Sequence, residues 1–244
     1  ASEMMMPAVK KRVDQFLGEL DRVWPAGYAA VLFGSAARGQ HIPGWSDINI
    51  LLVLPAITPG LLRAAGPAFR RWREEAGGVP LIFTVAEWGR SADAYPLELA
   101  EMHTCYDVLR GIDPLLGLVV RPHDLRLAVE RELRGKLMRL RQAWAVAGDD
   151  IDQMSELLRR SAGSIMLLCR GVVLLVGENP PLEPTALIAA AARVTGFPAD
   201  AIGRVVSNRG DSAWRCTPEQ WQDYLAAVES AARFVDHYQH GERA

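Results

Sequence analysis

Apolar residues recur at Val9, Val13, Phe16, Leu17, Leu20 and Trp24. This is the three–four spacing of one helix face, so a helix is predicted over residues 7–24. Pro25-Ala26-Gly27 stops it. The pattern then changes to short, continuous apolar runs bounded by turn residues, at 28–33, 48–54 and 81–85. Such runs predict buried strands, with a helix over 60–75 between the second and third. Residues 86–111 are less regular and are expected to hold a helix and a last strand near 105–109. The turn sequence Gly111-Ile112-Asp113-Pro114 follows.

Beyond Asp124 the helical period returns and stays. Leu125, Val129, Leu133, Leu137, Leu140 and Trp144 form one stripe. Residues 151–176 form a second helix, apolar nearly all round from Ile165, which predicts the centre of a bundle. A third helix is predicted over 185–194. Thr217-Pro218-Glu219-Gln220 opens the last, with Thr as N-cap, Pro at the first position and Gln reaching back. Its stripe is Trp221, Tyr224, Leu225, Val228, Ala232 and Val235. The predicted class is α+β: a small mixed β-sheet domain over 1–115, then an all-helical domain over 116–244.

Composition narrows the function. The 244-residue chain is 50% hydrophobic and 23% charged, as expected of a soluble globular protein. Its net charge of -2 argues against a broad nucleic-acid surface. Arg131, Arg134, Lys136, Arg139 and Arg141 fall on the outer faces of the helix from Asp124. That basic face is either a phosphate contact or a solvated face partly paired with Glu130 and Glu132, and the second reading is favoured. Cys105, Cys169 and Cys216 are far apart, without zinc spacing, which fits a reducing cytoplasm. No signal peptide is evident. The longest apolar run, 161–176, contains Arg170 and is too short to span a bilayer, so no membrane partner is expected. Sparse lysine and abundant alanine suggest a bacterial genome.

The candidate chemistry lies in two halves. Gly34-Ser35-Ala36-Ala37-Arg38-Gly39 follows the first predicted strand. Ser46-Asp47-Ile48-Asn49 opens the next. Gly34 permits a sharp exit and close approach by a ligand. Ser35 offers a hydroxyl and an N–H, and a helix starting at Ala36 would turn its free N–H groups to the same point, a corner suited to phosphate. Asp47 and Asn49, two apart on a strand, would share a face, with Ile48, Ile50 and Leu52 on the other. Trp45 sits in the loop between the halves, where it would stack on a base or cover the sheet edge.

Together these halves resemble the active-site signature of the DNA polymerase β nucleotidyltransferase superfamily. The two-part architecture is similar to its aminoglycoside adenylyltransferase branch. The resemblance implies that Gly34 and Ser35 hold the triphosphate, that Arg38 adds a cation, and that Asp47 and Asn49 face magnesium. It further implies transfer of AMP from magnesium–ATP to a hydroxyl of a small molecule or protein. The second acid of the family's pair is Asn49 here, which offers a carbonyl oxygen but no charge. The third acid would fall at Leu81 or Ile82, both apolar. Glu98 is the candidate substitute. The alternative is an inactive nucleotide- or ligand-binding protein of the same fold.

Overall fold

The computed structural model describes residues 5–43 and 46–238. Trp45 lies outside them. The chain divides into two compact units, Ala1–Val119 and Val120–Ala244.

The first unit opens with helix α1, Pro7–Val23, where Pro7 fills a first-turn position that needs no N–H. Strand β1, Ala29–Phe33, follows, then β2, Asn49–Leu54. Helix α2, Pro59–Ala76, starts at Thr58, whose hydroxyl accepts the Leu61 N–H. Strand β3 is Leu81–Thr84, and a one-turn helix α3, Val85–Trp88, carries a capping box from Thr84 and Glu87. Helix α4, Pro96–Thr104, and strand β4, Tyr106–Arg110, occupy the region whose sequence is least regular.

The strands form one mixed sheet in the order β3-β2-β1-β4. β1 is antiparallel to both β2 and β4, whereas β2 and β3 run parallel. β1 is buried along its whole length, as a strand paired on both edges should be. Ala30, Leu32, Ile48, Ile50, Leu52 and Leu54 meet Val13, Phe16, Leu17 and Leu20 of α1 and Ala65, Ala68 and Trp72 of α2 in one core. The alternation predicted for Ile48, Ile50 and Leu52 is thus the one observed. Phe16 stacks against Trp72 with ring centroids 4.6 Å apart and meets Phe69 edge-on at 5.4 Å.

Among the described residues, the second unit's regular elements are all helices: α5, Pro122–Ala147; α6, Ile151–Leu175; α7, Pro184–Thr195; α8, Ala199–Ser207; and α9, Pro218–His237. α5 packs on α6 and α9, and α7 packs on α6. The predicted capping box at Thr217 and Gln220 is present. α8 is an element the sequence pattern does not single out, because its nine residues give only two turns of period. Ile202, Val205 and Val206 bury its inner face.

The basic face of α5 divides. Arg134 pairs with Glu130 and Asp236, and Arg141 with Glu229. Lys136 is not on an outer face at all. It is buried, donates to the Ser164 hydroxyl and the Ser161 carbonyl, and its ammonium is pulled down to about 8 by burial and by Arg139, against an opposing pull from Glu132.

Leu52 is fully buried between the sheet and the two covering helices. Leu52→Ala is expected to cost about 2–5 kcal/mol, read as a lower urea midpoint with an unchanged slope.

Candidate functional site

β1 ends at Phe33, and the chain leaves it through Gly34 at φ +76°. Residues 34–39 then form a compact turn rather than the expected helix. Its backbone bonds are Arg38 N–H to Gly34 O, Gly39 N–H to Ala36 O and Gln40 N–H to Ser35 O. Gly39, at φ +69°, ends the turn before a second helical repeat can form. The N–H groups of Ser35, Ala36 and Ala37 make no backbone bond among the described residues, although Ala36 and Ala37 are fully buried. Buried N–H groups require acceptors. Successive free N–H groups in a turn form an anion-binding concavity, the same chemistry expected of a helix start.

The β1–β2 ladder brings the second half of the motif to this turn. Phe33 pairs with Asn49, so Asn49 flanks Gly34. A Cβ at residue 34 would lie 2.8 Å from Asn49 Nδ2. Position 34 therefore needs glycine twice, for its backbone angle and for the amide beside it.

Asp47 is placed differently. β2 begins at Asn49, so Asp47 precedes the strand and is exposed. Ile48 N–H donates to Ala76 O at 3.1 Å, which ties this segment to the end of α2. There the Asp47 carboxylate lies over Gly77 and Gly78, and a Cβ at Gly77 would collide with Oδ1. Asn49 thus sits against one glycine and Asp47 against another pair.

The remaining candidates separate as well. Arg38 was expected to offer its cation to a nucleotide. Instead its guanidinium is 3% exposed and donates from Nη2 to Glu101 Oε1 of α4 at 3.0 Å. Glu98, in the first turn of α4, is half-buried and is not the acid joined to the turn. Glu101 is. Its spacing from Glu98 puts both on neighbouring positions of one helix, and only the tertiary contact distinguishes them. On β3, Leu81 pairs with Leu51 and so lies on the sheet face of Asn49, whereas Ile82 packs against the helix-covered core. The position facing Asn49's side of the sheet is therefore leucine.

His41 is a member of this neighbourhood that sequence reading missed. It is buried, with Nδ1 3.0 Å from Ser46 Oγ, and Ser46 Oγ accepts the Ile42 N–H at 2.7 Å. Burial and then the Arg12 guanidinium hold its imidazole below the ordinary range, and Asp47 partly opposes them. Arg12, His41 and Asp47 therefore share one electrostatic field.

The donor set does not fit a pair of magnesium ions. Magnesium is a hard cation that takes charged oxygen ligands. Asp47 and Asn49 supply one carboxylate and one neutral amide. Among the described residues, no group of three or more His, Cys, Asp or Glu side chains could hold a metal ion. No helix among them is long and apolar enough to cross a membrane.

Comparison with known proteins agrees with this architecture. A family model described as the nucleotidyltransferase domain matches residues 13–80, which contain both halves of the motif. No curated protein sequence matches the chain. A crystal structure of a spectinomycin adenyltransferase from Enterococcus faecialis, solved with ATP and spectinomycin, superposes with a TM-score of 0.56 at 12% identity. The match covers 93% of this chain and 99% of that one. The polymerase β-like, aminoglycoside adenylyltransferase-like resemblance and the α+β class both stand on these matches.

Two expectations follow from the geometry. Gly34→Ala must place a side chain in the left-handed region, which costs about 1–2 kcal/mol, and must also displace Asn49. Adding Asn49→Ala should recover the second part only, a non-additivity read from denaturation of the single and double variants. The His41 imidazole binds its proton less readily folded than at the unfolded value of 6.5. Its contribution is therefore fully present above that pH and is lost as pH falls through the folded value. Urea midpoints should drop as pH is lowered below 6.5, and His41→Asn should flatten that slope.

Proposed function

We propose, for a chain whose N-terminal unit carries a nucleotidyltransferase domain, that it binds a nucleoside triphosphate, with ATP as the reference ligand, at the Gly34–Ala37 turn. In this reading the fold holds nucleotide and turns it over slowly. The observation that carries the reading is the run of N–H groups at Ser35, Ala36 and Ala37 that make no backbone bond among the described residues, in a turn whose Ala36 and Ala37 are buried, flanked by an amide at Asn49 where the resembling family has an acid. Phosphate oxygens are suitable acceptors for such N–H groups. An amide beside them tolerates the ligand's charge but does not anchor a second cation.

Slow turnover follows from the missing carboxylates. Nucleotidyl transfer forms a bond from an acceptor oxygen to the α-phosphorus and breaks the bond to the pyrophosphate oxygen. The acceptor hydroxyl must give up its proton as this happens. Neither Leu81 nor Ile82 can take it. Removing one electrostatic stabiliser of a transition state typically costs a factor of about 100–1,000.

A second reading, AMP transfer to a hydroxyl of a small molecule, is favoured by the domain match and by a structural neighbour solved with ATP and spectinomycin. Incubation with γ-labelled ATP, with and without aminocyclitol or aminoglycoside acceptors, separates the two. ATP binding with little or only slow acceptor-dependent pyrophosphate supports the first reading. Rapid acceptor-dependent pyrophosphate supports the second, and absence of any ATP binding rejects both.

The charge argument gives a further expectation. The parent's affinity for a non-hydrolysable ATP analogue should change little when magnesium is added. Asn49→Asp adds one charge beside the turn and should make binding magnesium-dependent. One charge-assisted contact is worth about 1.5–3 kcal/mol, so calorimetry with magnesium should show affinity rising about ten- to hundredfold.

A further inference from the structure

Beneath the Gly34–Ser35 turn lies a buried ion pair that the nucleotide reading does not use. Arg38 Nη2 and Glu101 Oε1 are 3.0 Å apart, with side chains 3% and 11% exposed. Arg38 Nε and Nη1 are buried and have no hydrogen-bond partner among the described residues. One contact to one carboxylate oxygen is a poor return for desolvating a guanidinium. Pairs of this kind are often replaced by apolar residues at no loss of stability. Stability alone is therefore a weak reason for finding one here.

The pair's location suggests another. Arg38 belongs to the turn itself, and its own N–H closes the turn onto Gly34 O. Glu101 lies on α4, and Cys105, at the end of that helix, reaches Ala37 O with its thiol at 3.5 Å. Two adjacent turn residues are thus tied to one short segment, 101–105. The turn is bounded by Gly34 and Gly39, both at positive φ, and has few backbone bonds of its own. Glycine-bounded segments have many alternative conformations.

We propose that Arg38 and Glu101 are a positioning pair. They clamp the turn to α4 so that the N–H groups of Ser35, Ala36 and Ala37 stay directed as an anion site before any ligand arrives. Arg38 acts here through the backbone it carries. The purpose assigned to the pair rests on the nucleotide-binding reading, whereas its geometric effect does not.

The test compares parent, Glu101→Gln and the double variant Arg38→Met with Glu101→Leu. Glu101→Gln leaves a buried guanidinium without its carboxylate and should lower the melting temperature. The double variant removes both charges and should recover most of that loss. Hydrogen exchange in the ligand-free proteins then reads the turn directly. Amides of residues 35–38 should exchange faster in both variants than in the parent, with α1 and β2 amides protected as before. If the competent turn falls to about one-tenth of the population, the apparent Kd for ATP rises about tenfold. That loss should persist in the double variant although its stability has returned.

A double variant with recovered stability, parental exchange at 35–38 and parental ATP affinity overturns the proposal. So does a double variant that fails to fold, because the pair then serves the fold. If the parent binds no ATP, the nucleotide reading fails, and the exchange comparison still decides whether the pair holds the turn.

Discussion

The antiparallel pairing of β1 with β2 is the constraint on which the motif region depends. The ladder runs from Ala29 opposite Val53 to Phe33 opposite Asn49. Side chains alternate strictly along a strand, so a slip of one residue would exchange the faces of β2. Ile50 and Leu52 would then leave the core they share with α1 and α2, and Asn49 would leave Gly34. Burial of that apolar set is what prevents the slip. The register of a hydrophobic core thereby decides which polar group stands beside the turn at residues 34–39.

Around this ladder, charge is arranged sparingly. In a two-metal centre, clustered carboxylates offset the cations. Here the residues brought to the turn are an amide and a pre-paired arginine, and the loop that follows carries a buried histidine held toward its neutral form. Asp47 is carried to the end of α2, where Gly77 and Gly78 leave room for it. The site retains hydrogen-bond donors and lacks concentrated negative charge. Such a surface is complementary to phosphate and poorly suited to holding divalent cations by itself.

The helical unit follows a different economy. Its exposed arginines are largely paired with acids on the same or neighbouring helices, contacts worth little individually. Its buried polar groups are internal: Lys136 with Ser164, Ser155 with Cys216, and the Tyr224 hydroxyl against Ser161. These satisfy groups that the long α5–α6–α9 packing would otherwise strand.

Periodicity in the chain was enough to assign α1, the apolar strands, α5, α6 and α9, because burial of one face writes itself into residue spacing. The Gly34-Ser35 turn and the approach of Asn49 were legible for the same reason, since both lie at the ends of strongly patterned strands. α8 was too short to show a period, whereas β4 lies where a last strand was expected near 105–109. The turn ends at Gly39, where the backbone takes a positive φ, as its glycine suggests. Pairings between distant residues were beyond reach. Glu98 and Glu101 are equivalent as letters three apart on one helix, and only the packing of α4 beside the turn gives Arg38 to Glu101. His41 and Arg12 likewise share a field only because the tertiary fold brings α1 to the loop before β2. Local pattern determined which segments are helix, strand and turn, since that depends on neighbours in the chain. Which charges meet depends on neighbours in space, and tertiary structure alone decided it.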